Sequence, residues 1–144
     1  LAGEMSGHIC FSDTYFGFDD AIYAACRVLQ IVATSKVKVS EMLLDVPKTA
    51  ATPEIRVDCP DDRKFEIVRE LTESFSKTYD VIDIDGARVN FDKGWALIRA
   101  SNTQPVIVFR FEANNAERLD EIISLVRKAM SKYEPIVTLG QELC

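Results

Sequence analysis

The strongest constraint on the fold is a succession of four strand-like runs, Val81 to Asp85, Ala87 to Phe91, Trp95 to Ala100 and Val106 to Ala113. In the last run Ile107, Phe109 and Phe111 recur at every second residue, which makes one side of an extended chain apolar. Asp85-Gly86 suits a tight two-residue hairpin because both positions tolerate positive φ, and that hairpin would put Ile82 and Ile84 on the face of Val89 and Phe91. Upstream, Glu54-Ile55-Arg56-Val57-Asp58 alternates like a half-buried strand. Pro60, Asp61 and Asp62 then suit the first turn of a helix with Phe65, Val68, Leu71 and Phe75 on one face. Downstream, Asn114 can cap a final helix with Glu117 three residues on and an apolar stripe of Leu119, Ile122, Ile123, Val126 and Met130. The order β-α-β-β-β-β-α predicts an α+β domain, a mostly antiparallel sheet of four to five strands covered by helices on one face.

Pro47, Pro53 and Pro60 bracket a stretch, Lys48-Thr49-Ala50-Ala51-Thr52, with little apolar periodicity. A hinge is expected over residues 47–52, dividing an incomplete first part, residues 1–46, from the domain at residues 53–144. The first part offers a loop punctuated by Gly3, Gly7 and Gly17, a short strand at Ile9 to Phe11 and a helix from about Asp19 to Thr34. Ile22, Tyr23, Val28, Leu29, Ile31 and Val32 occupy much of that helix's circumference, as in a helix buried against a large sheet of an α/β domain. No such sheet is encoded here. With Leu1 falling in mid-motif, the expectation is a piece of something longer.

At 144 residues and 47% hydrophobic, the chain can bury a core. A net charge of −6 argues against a nucleic-acid partner, whose binding depends on clustered Lys and Arg. It does not argue against one small anion, which a single Arg and a few backbone N–H groups can hold. Cys10, Cys26, Cys59 and Cys144 lack a C-x-x-C spacing, and one His is too few for a zinc constellation, so reduced thiols in a cytoplasmic protein are expected. No apolar run approaches the ~20 residues that cross a bilayer, so no membrane partner is expected either.

Two loops carry chemistry. Arg99-Ala100-Ser101-Asn102-Thr103-Gln104-Pro105 supplies a guanidinium fork, two hydroxyls, a carboxamide and backbone N–H groups between two strands, all donors for a phosphate. The same composition also fits an ordinary polar connection in which Ser, Asn and Thr satisfy the turn. In Gly3-Glu4-Met5-Ser6-Gly7-His8, an extended backbone would point Glu4, Ser6 and His8 to one side. A carboxylate can accept from two neighbouring sugar hydroxyls, and a His can move a proton or contact a phosphate.

Gly-Glu-Met-Ser-Gly-His, followed by Phe11, Asp13, Tyr15-Phe16-Gly17, Asp19-Asp20 and Ile22-Tyr23, resembles the end of the third domain in the bacterial phosphomannomutase/phosphoglucomutase branch of the alpha-D-phosphohexomutases. Arg-Ala-Ser-Asn-Thr-x-Pro resembles the phosphate loop of that family's fourth domain. Related phosphoglucosamine mutases tend to have Gln at the position of Met5 and Gly at that of Asn102. Gln104 departs from the Glu common in the wider superfamily.

The resemblance implies an isomerase that interconverts hexose 1-phosphates and 6-phosphates of mannose or glucose through a bisphosphorylated sugar. A phosphoserine and a Mg²⁺ would be supplied by N-terminal domains outside this chain. Asp83-Ile84-Asp85-Gly86 reads as hairpin, not as a metal loop. By the same resemblance Glu4 and Ser6 would grip sugar hydroxyls, and His8 would be a candidate proton carrier or phosphate contact. Arg99, Ser101, Asn102 and Thr103 would hold the phosphate not being transferred, and the hinge would close the last domain over hexose phosphate or bisphosphate. The chain by itself is then expected to bind sugar phosphate without turnover. A stand-alone phosphate-binding or regulatory module is the alternative.

Overall fold

The structure, a computed structural model, describes residues 1–4 and 6–133. Met5 and Cys144, both used above, lie outside the described residues. The chain divides into two compact units, one over Leu1–Val46 and one from Pro47 onward.

In the first unit, β1 (Ala2–Gly3) and β2 (Ile9–Cys10) form an antiparallel hairpin with Ala2 opposite Cys10 and Gly3 opposite Ile9. Helix α1 (Ala21–Thr34) begins at Asp20, whose carboxylate accepts from the Tyr23 N–H at 2.9 Å and satisfies one orphan amide of the first turn. The Tyr15 hydroxyl donates to the same carboxylate at 2.7 Å while its ring stacks on Tyr23, the centroids 4.0 Å apart. One turn on, Arg27 lies over the Phe11 ring and donates to the Thr14 and Tyr23 hydroxyls, tying the helix to the preceding loop. The apolar circumference read from sequence is present but uncovered: Ile22 is 80% exposed and Leu29 65%. Among the described residues this unit has only the two short strands against which to bury it.

The second unit holds β3 (Ala50–Ala51), β4 (Ile55–Asp58), α2 (Asp61–Phe75), β5 (Asp80–Ile82), β6 (Ala87–Phe91), β7 (Gly94–Ala100), β8 (Val106–Ala113) and α3 (Ala116–Met130). All its strand pairings are antiparallel, in the order β3-β8-β7-β6-β5 with β4 also on β8. The α+β architecture is the expected one, with β3 as a sixth strand. Part of the expected hinge is therefore sheet: Ala50 pairs with Ala113, the Thr52 N–H donates to Phe111, and the Phe111 N–H donates to the Thr52 hydroxyl.

Period-2 alternation sends Ile107, Phe109 and Phe111 of β8, Ala96 and Ile98 of β7, and Val89 of β6 to the covered face, all fully buried. Ile67 and Leu71 of α2 and Ile122, Val126 and Met130 of α3 close over them. At about 1.5–3 kcal/mol per large side chain, this cluster is the main favourable term for the unit.

Three local expectations need correction. Phe65 is 54% exposed, and the buried stripe of α2 is Lys64, Ile67, Val68, Leu71 and Phe75; Lys64 buries its aliphatic stem because its ammonium finds oxygen partners at the helix start. The cap of α3 is Asn115, accepting from the Arg118 N–H at 2.8 Å, since the Asn114 N–H is committed to the Lys93 carbonyl. The first hairpin is shifted by one residue. Val81, not Ile82, faces Val89, while Ile82 pairs with Arg88 and Ile84 is 91% exposed. The Asn90 carboxamide donating to Asp80 at 2.8 Å ties this register, and a one-residue slip exchanges the two faces. Gly86, at φ +85°, lies close against β7: a Cβ there would come within 2.3 Å of the Ile98 carbonyl oxygen.

Candidate functional site

Arg99 follows the buried Ile98 and precedes the buried Ala100, so the alternation of β7 turns it to the uncovered face of the sheet. There it pairs across the sheet with Val108, and Arg56 of β4 pairs with Val108 from the other side. Two guanidinium-bearing residues thus flank one valine. Arg99 Nη1 lies 3.3 Å from Asp85 Oδ2, with its side chain 45% exposed. Arg56 reaches Glu54 at 2.8 Å and donates to the Gln104 side-chain oxygen at 2.7 Å.

Beyond Arg99 the chain turns on Ser101, whose hydroxyl oxygen accepts from the Thr103 N–H at 3.3 Å and the Gln104 N–H at 3.1 Å. This is the local turn chemistry foreseen as the plain reading of the loop. It orders the loop through the Ser101 oxygen as acceptor, so the Ser101 O–H stays available as a donor beside the Arg99 guanidinium, the Asn102 carboxamide and the Thr103 hydroxyl, with Asn102 and Thr103 exposed. The base of the loop is clamped. Buried Lys64 donates to the Gln104 carbonyl at 2.9 Å and to Asp61 at 2.5 Å, and the Cys59 N–H donates to the Pro105 carbonyl at 2.8 Å. Burial pushes the Cys59 thiol up from its ordinary value, so this cysteine is a packing residue rather than a nucleophile. A separate cleft of about 380 Å³, lined by Phe65, Val68, Thr72, Asp83, Asp85 and Gly86 among others, does not include residues 101–103.

In the first unit Glu4, Gly7 and His8 make turn contacts that close the β1–β2 hairpin. The Glu4 N–H donates to the His8 carbonyl at 2.9 Å, the Gly7 N–H donates to the Glu4 carbonyl at 3.0 Å, and Gly7 takes φ +92°. The turn brings Glu4 and Ser6 together, the serine hydroxyl donating to the carboxylate at 3.1 Å. Glu4 and His8 line one cleft of about 370 Å³ with Ala2, Gly3, Cys10 and Asp19. His8 Nδ1 sits 2.5 Å from Asp19 Oδ2. That hydrogen bond, then the charge of Asp19, holds the imidazole above its ordinary value, against a smaller effect of desolvation.

The sequence reading did not find Asp19, Arg56, Lys64 or Asp85 as supporting residues. Arg56 was legible as the outward position of an alternating strand, and Lys64 as a member of the i, i+3, i+4, i+7 stripe with Ile67, Val68 and Leu71. Asp19 was part of the motif that carried the resemblance, but its contact with a ring eleven residues away has no local signature.

A family model described as the C-terminal domain of phosphoglucomutase/phosphomannomutase matches residues 54–129, and one described as its alpha/beta/alpha domain III matches residues 1–50. The chain belongs to the phosphoglucomutase/phosphomannomutase family. Similar relatives include a phosphomannomutase/phosphoglucomutase of Pseudomonas putida, 40% identical over 96% of this chain and 30% of the relative. A phosphoglucomutase of Neisseria gonorrhoeae is 41% identical over 85% of this chain and 27% of the relative. The crystal structure of a phosphoglucomutase/phosphomannomutase family protein from Burkholderia thailandensis matches with a TM-score of 0.78 and 38% identity, over 94% of this chain and 28% of that one. The chain thus spans about 30% of the length of curated relatives of this family that it matches.

Family membership brings Mg²⁺ into question, and the residues here do not fit it. Among the described residues no group of three or more His, Cys, Asp or Glu could hold a metal ion. Asp83 and Asp85 belong to the β5–β6 connection, and Asp85 is paired with Arg99. Among the described residues no helix is long and apolar enough to cross a membrane.

Proposed function

We propose that this chain is the sugar-phosphate-binding portion of a phosphohexomutase that interconverts hexose 1-phosphates and 6-phosphates, and that alone it binds such ligands without turning them over. The observation that carries the reading is the loop after β7. Its base is fixed by Lys64, Arg56 and the Cys59 amide, while a guanidinium, a carboxamide and a hydroxyl face outward. A fixed base lowers the ordering cost of binding, and an Arg fork gives charge-assisted, bidentate bonds to a phosphate.

In this reading Arg99, Ser101, Asn102 and Thr103 donate to the phosphate, while the Ser101 oxygen also holds the turn that presents them. Asp85 is the resting partner of Arg99, exchanged for the phosphate on binding. Glu4 accepts from sugar hydroxyls with Ser6 as its neighbour, and His8 contacts the phosphate as imidazolium or carries a proton as neutral ring. The phosphoryl donor and the metal belong to parts of the mutase outside this chain, in keeping with its 30% share of its relatives' length. The remainder of the alpha/beta/alpha domain is the natural cover for the apolar side of α1.

The test is ³¹P NMR of glucose 6-phosphate and glucose 1-phosphate with the full chain and Mg²⁺. Line broadening that is lost in Arg99→Ala, with no conversion between the two sugars, is the expected outcome. Sharp lines at millimolar protein would refute binding, and conversion would refute the division of labour.

A further inference from the structure

The His8 ring is held from one side by a residue that neither loop contains. Asp19 is itself fixed: its backbone bridges Cys10 in antiparallel fashion, its Oδ1 accepts from the Ile9 N–H at 3.3 Å, and the next residue caps α1. From that position its Oδ2 meets His8 Nδ1. An ionised carboxylate only accepts, so the proton at this contact sits on Nδ1 and the lone pair of the neutral ring falls on Nε2.

We infer that Asp19 is the positioning residue of His8, fixing the Nδ1–H form of the imidazole and leaving Nε2 as the proton acceptor in the cleft beside Glu4. Free histidine in water carries its neutral-ring proton mostly on Nε2, so Asp19 inverts the intrinsic preference. When Nε2 takes a proton from a ligand hydroxyl, that O–H bond breaks, an N–H bond forms, and the resulting imidazolium is balanced by Asp19 across the ring. The titratable groups facing the ring are Asp19, Glu4 and the Cys10 thiol of the same cleft. Both carboxylates favour the charged ring, Asp19 by the larger margin. His8 and Asp19 are 58% and 42% exposed, so solvent screens the pair and the expected displacement of its titration is modest. The role of Nε2 toward a sugar hydroxyl rests on the function proposed above; the ring's tautomer and titration do not.

Because His8 is the one histidine in the chain, its ring nitrogens are observable without assignment ambiguity. The experiment is ¹H–¹⁵N long-range correlation NMR of the full chain across pH 5 to 9, with no ligand. Wild type should show a neutral ring protonated at Nδ1 and a midpoint above the ~6.5 of a free imidazole. Asp19→Asn keeps an acceptor and removes the charge, so the Nδ1–H form should persist while the midpoint falls. Asp19→Ala should lose both, reverting to Nε2–H. A wild-type ring protonated at Nε2, or a midpoint unmoved in both variants, would overturn the inference while leaving phosphate binding at Arg99 untouched. Loss of ³¹P broadening with the tautomer as stated would instead sink the function and spare the pair.

Discussion

Gly86→Ala tests whether the turn beneath Arg99 is built by close approach rather than by turn propensity alone. At φ +85° an L-residue pays about 1–2 kcal/mol for the left-handed conformation. The added Cβ would also lie 2.3 Å from the Ile98 carbonyl oxygen and 3.0 Å from the Arg99 Cα, both backbone atoms of β7 that no side-chain rotation can clear. Relieving that overlap is an overpacking problem of about 1–3 kcal/mol. Against it, alanine restricts the unfolded chain and returns about 0.4–1 kcal/mol. The net is a loss of roughly 1–4.5 kcal/mol, and at ~4–8 °C per kcal/mol for a domain of this size the melting temperature should fall by roughly 4–35 °C. Differential scanning calorimetry of wild type and variant reads this directly. Because the crowded atoms belong to Ile98 and Arg99, whatever variant remains folded should also show displaced amide resonances at residues 98–101. A melting temperature within 3 °C of wild type, with those resonances unmoved, would refute the close-approach argument.

Other perturbations follow from the same packing. Lys64→Met keeps the buried stem and removes the ammonium that holds the Gln104 carbonyl; since the Val106 N–H still serves that carbonyl, urea unfolding should record a loss of only about 1–2 kcal/mol, with weaker glucose 6-phosphate binding as the larger effect. Leu71→Ala empties a fully buried site between α2 and the sheet and should cost about 2–5 kcal/mol in the same unfolding assay. Glu70 accepts from the Tyr133 hydroxyl at 2.6 Å and from Lys132 at 3.2 Å, which hold its carboxyl below its ordinary value. Its contribution is therefore present above the unfolded-state value of 4.5 and lost as pH falls through the lower folded value. The melting-temperature gap between wild type and Glu70→Gln should narrow as pH drops below 4.5; a gap independent of pH would exclude this linkage.

Strands β6 to β8 were legible because the period-2 pattern of Ala87–Phe91, Gly94–Ala100 and Val106–Ala113 states which face meets the helices, although Val106 and Val108 of β8 are buried on the other face too. β5 was misread for the same reason: with Ile at positions 82 and 84 the pattern favoured one face, whereas the Asp80–Asn90 contact and the crowded Gly86 set the other register. β3 was invisible, two alanines carrying no periodicity, and its place beside β8 is fixed by long-range pairing. In the loops, sequence supplied the chemical inventory but not who is spoken for. The Ser101 hydroxyl reads as a phosphate donor, and the fold adds that its oxygen also accepts from the Thr103 and Gln104 amides. Lys64 shares the i, i+3, i+4, i+7 spacing of Ile67, Val68 and Leu71, but nothing local marks it as the buried tether of the loop. Distances between residues 40 or more apart, as for Lys64–Gln104 and Arg56–Gln104, are properties of the fold and have no local signature.

The central claim is that the turn between β7 and β8 recognises the phosphate of a phosphorylated hexose. ¹H–¹⁵N correlation spectra of the full chain titrated with glucose 6-phosphate, with glucose as the control, address it residue by residue. The account predicts saturable shifts concentrated at residues 99–104, absent with glucose and absent in Arg99→Ala. Equal shifts with glucose, or shifts that survive the loss of the Arg99 guanidinium, would contradict it.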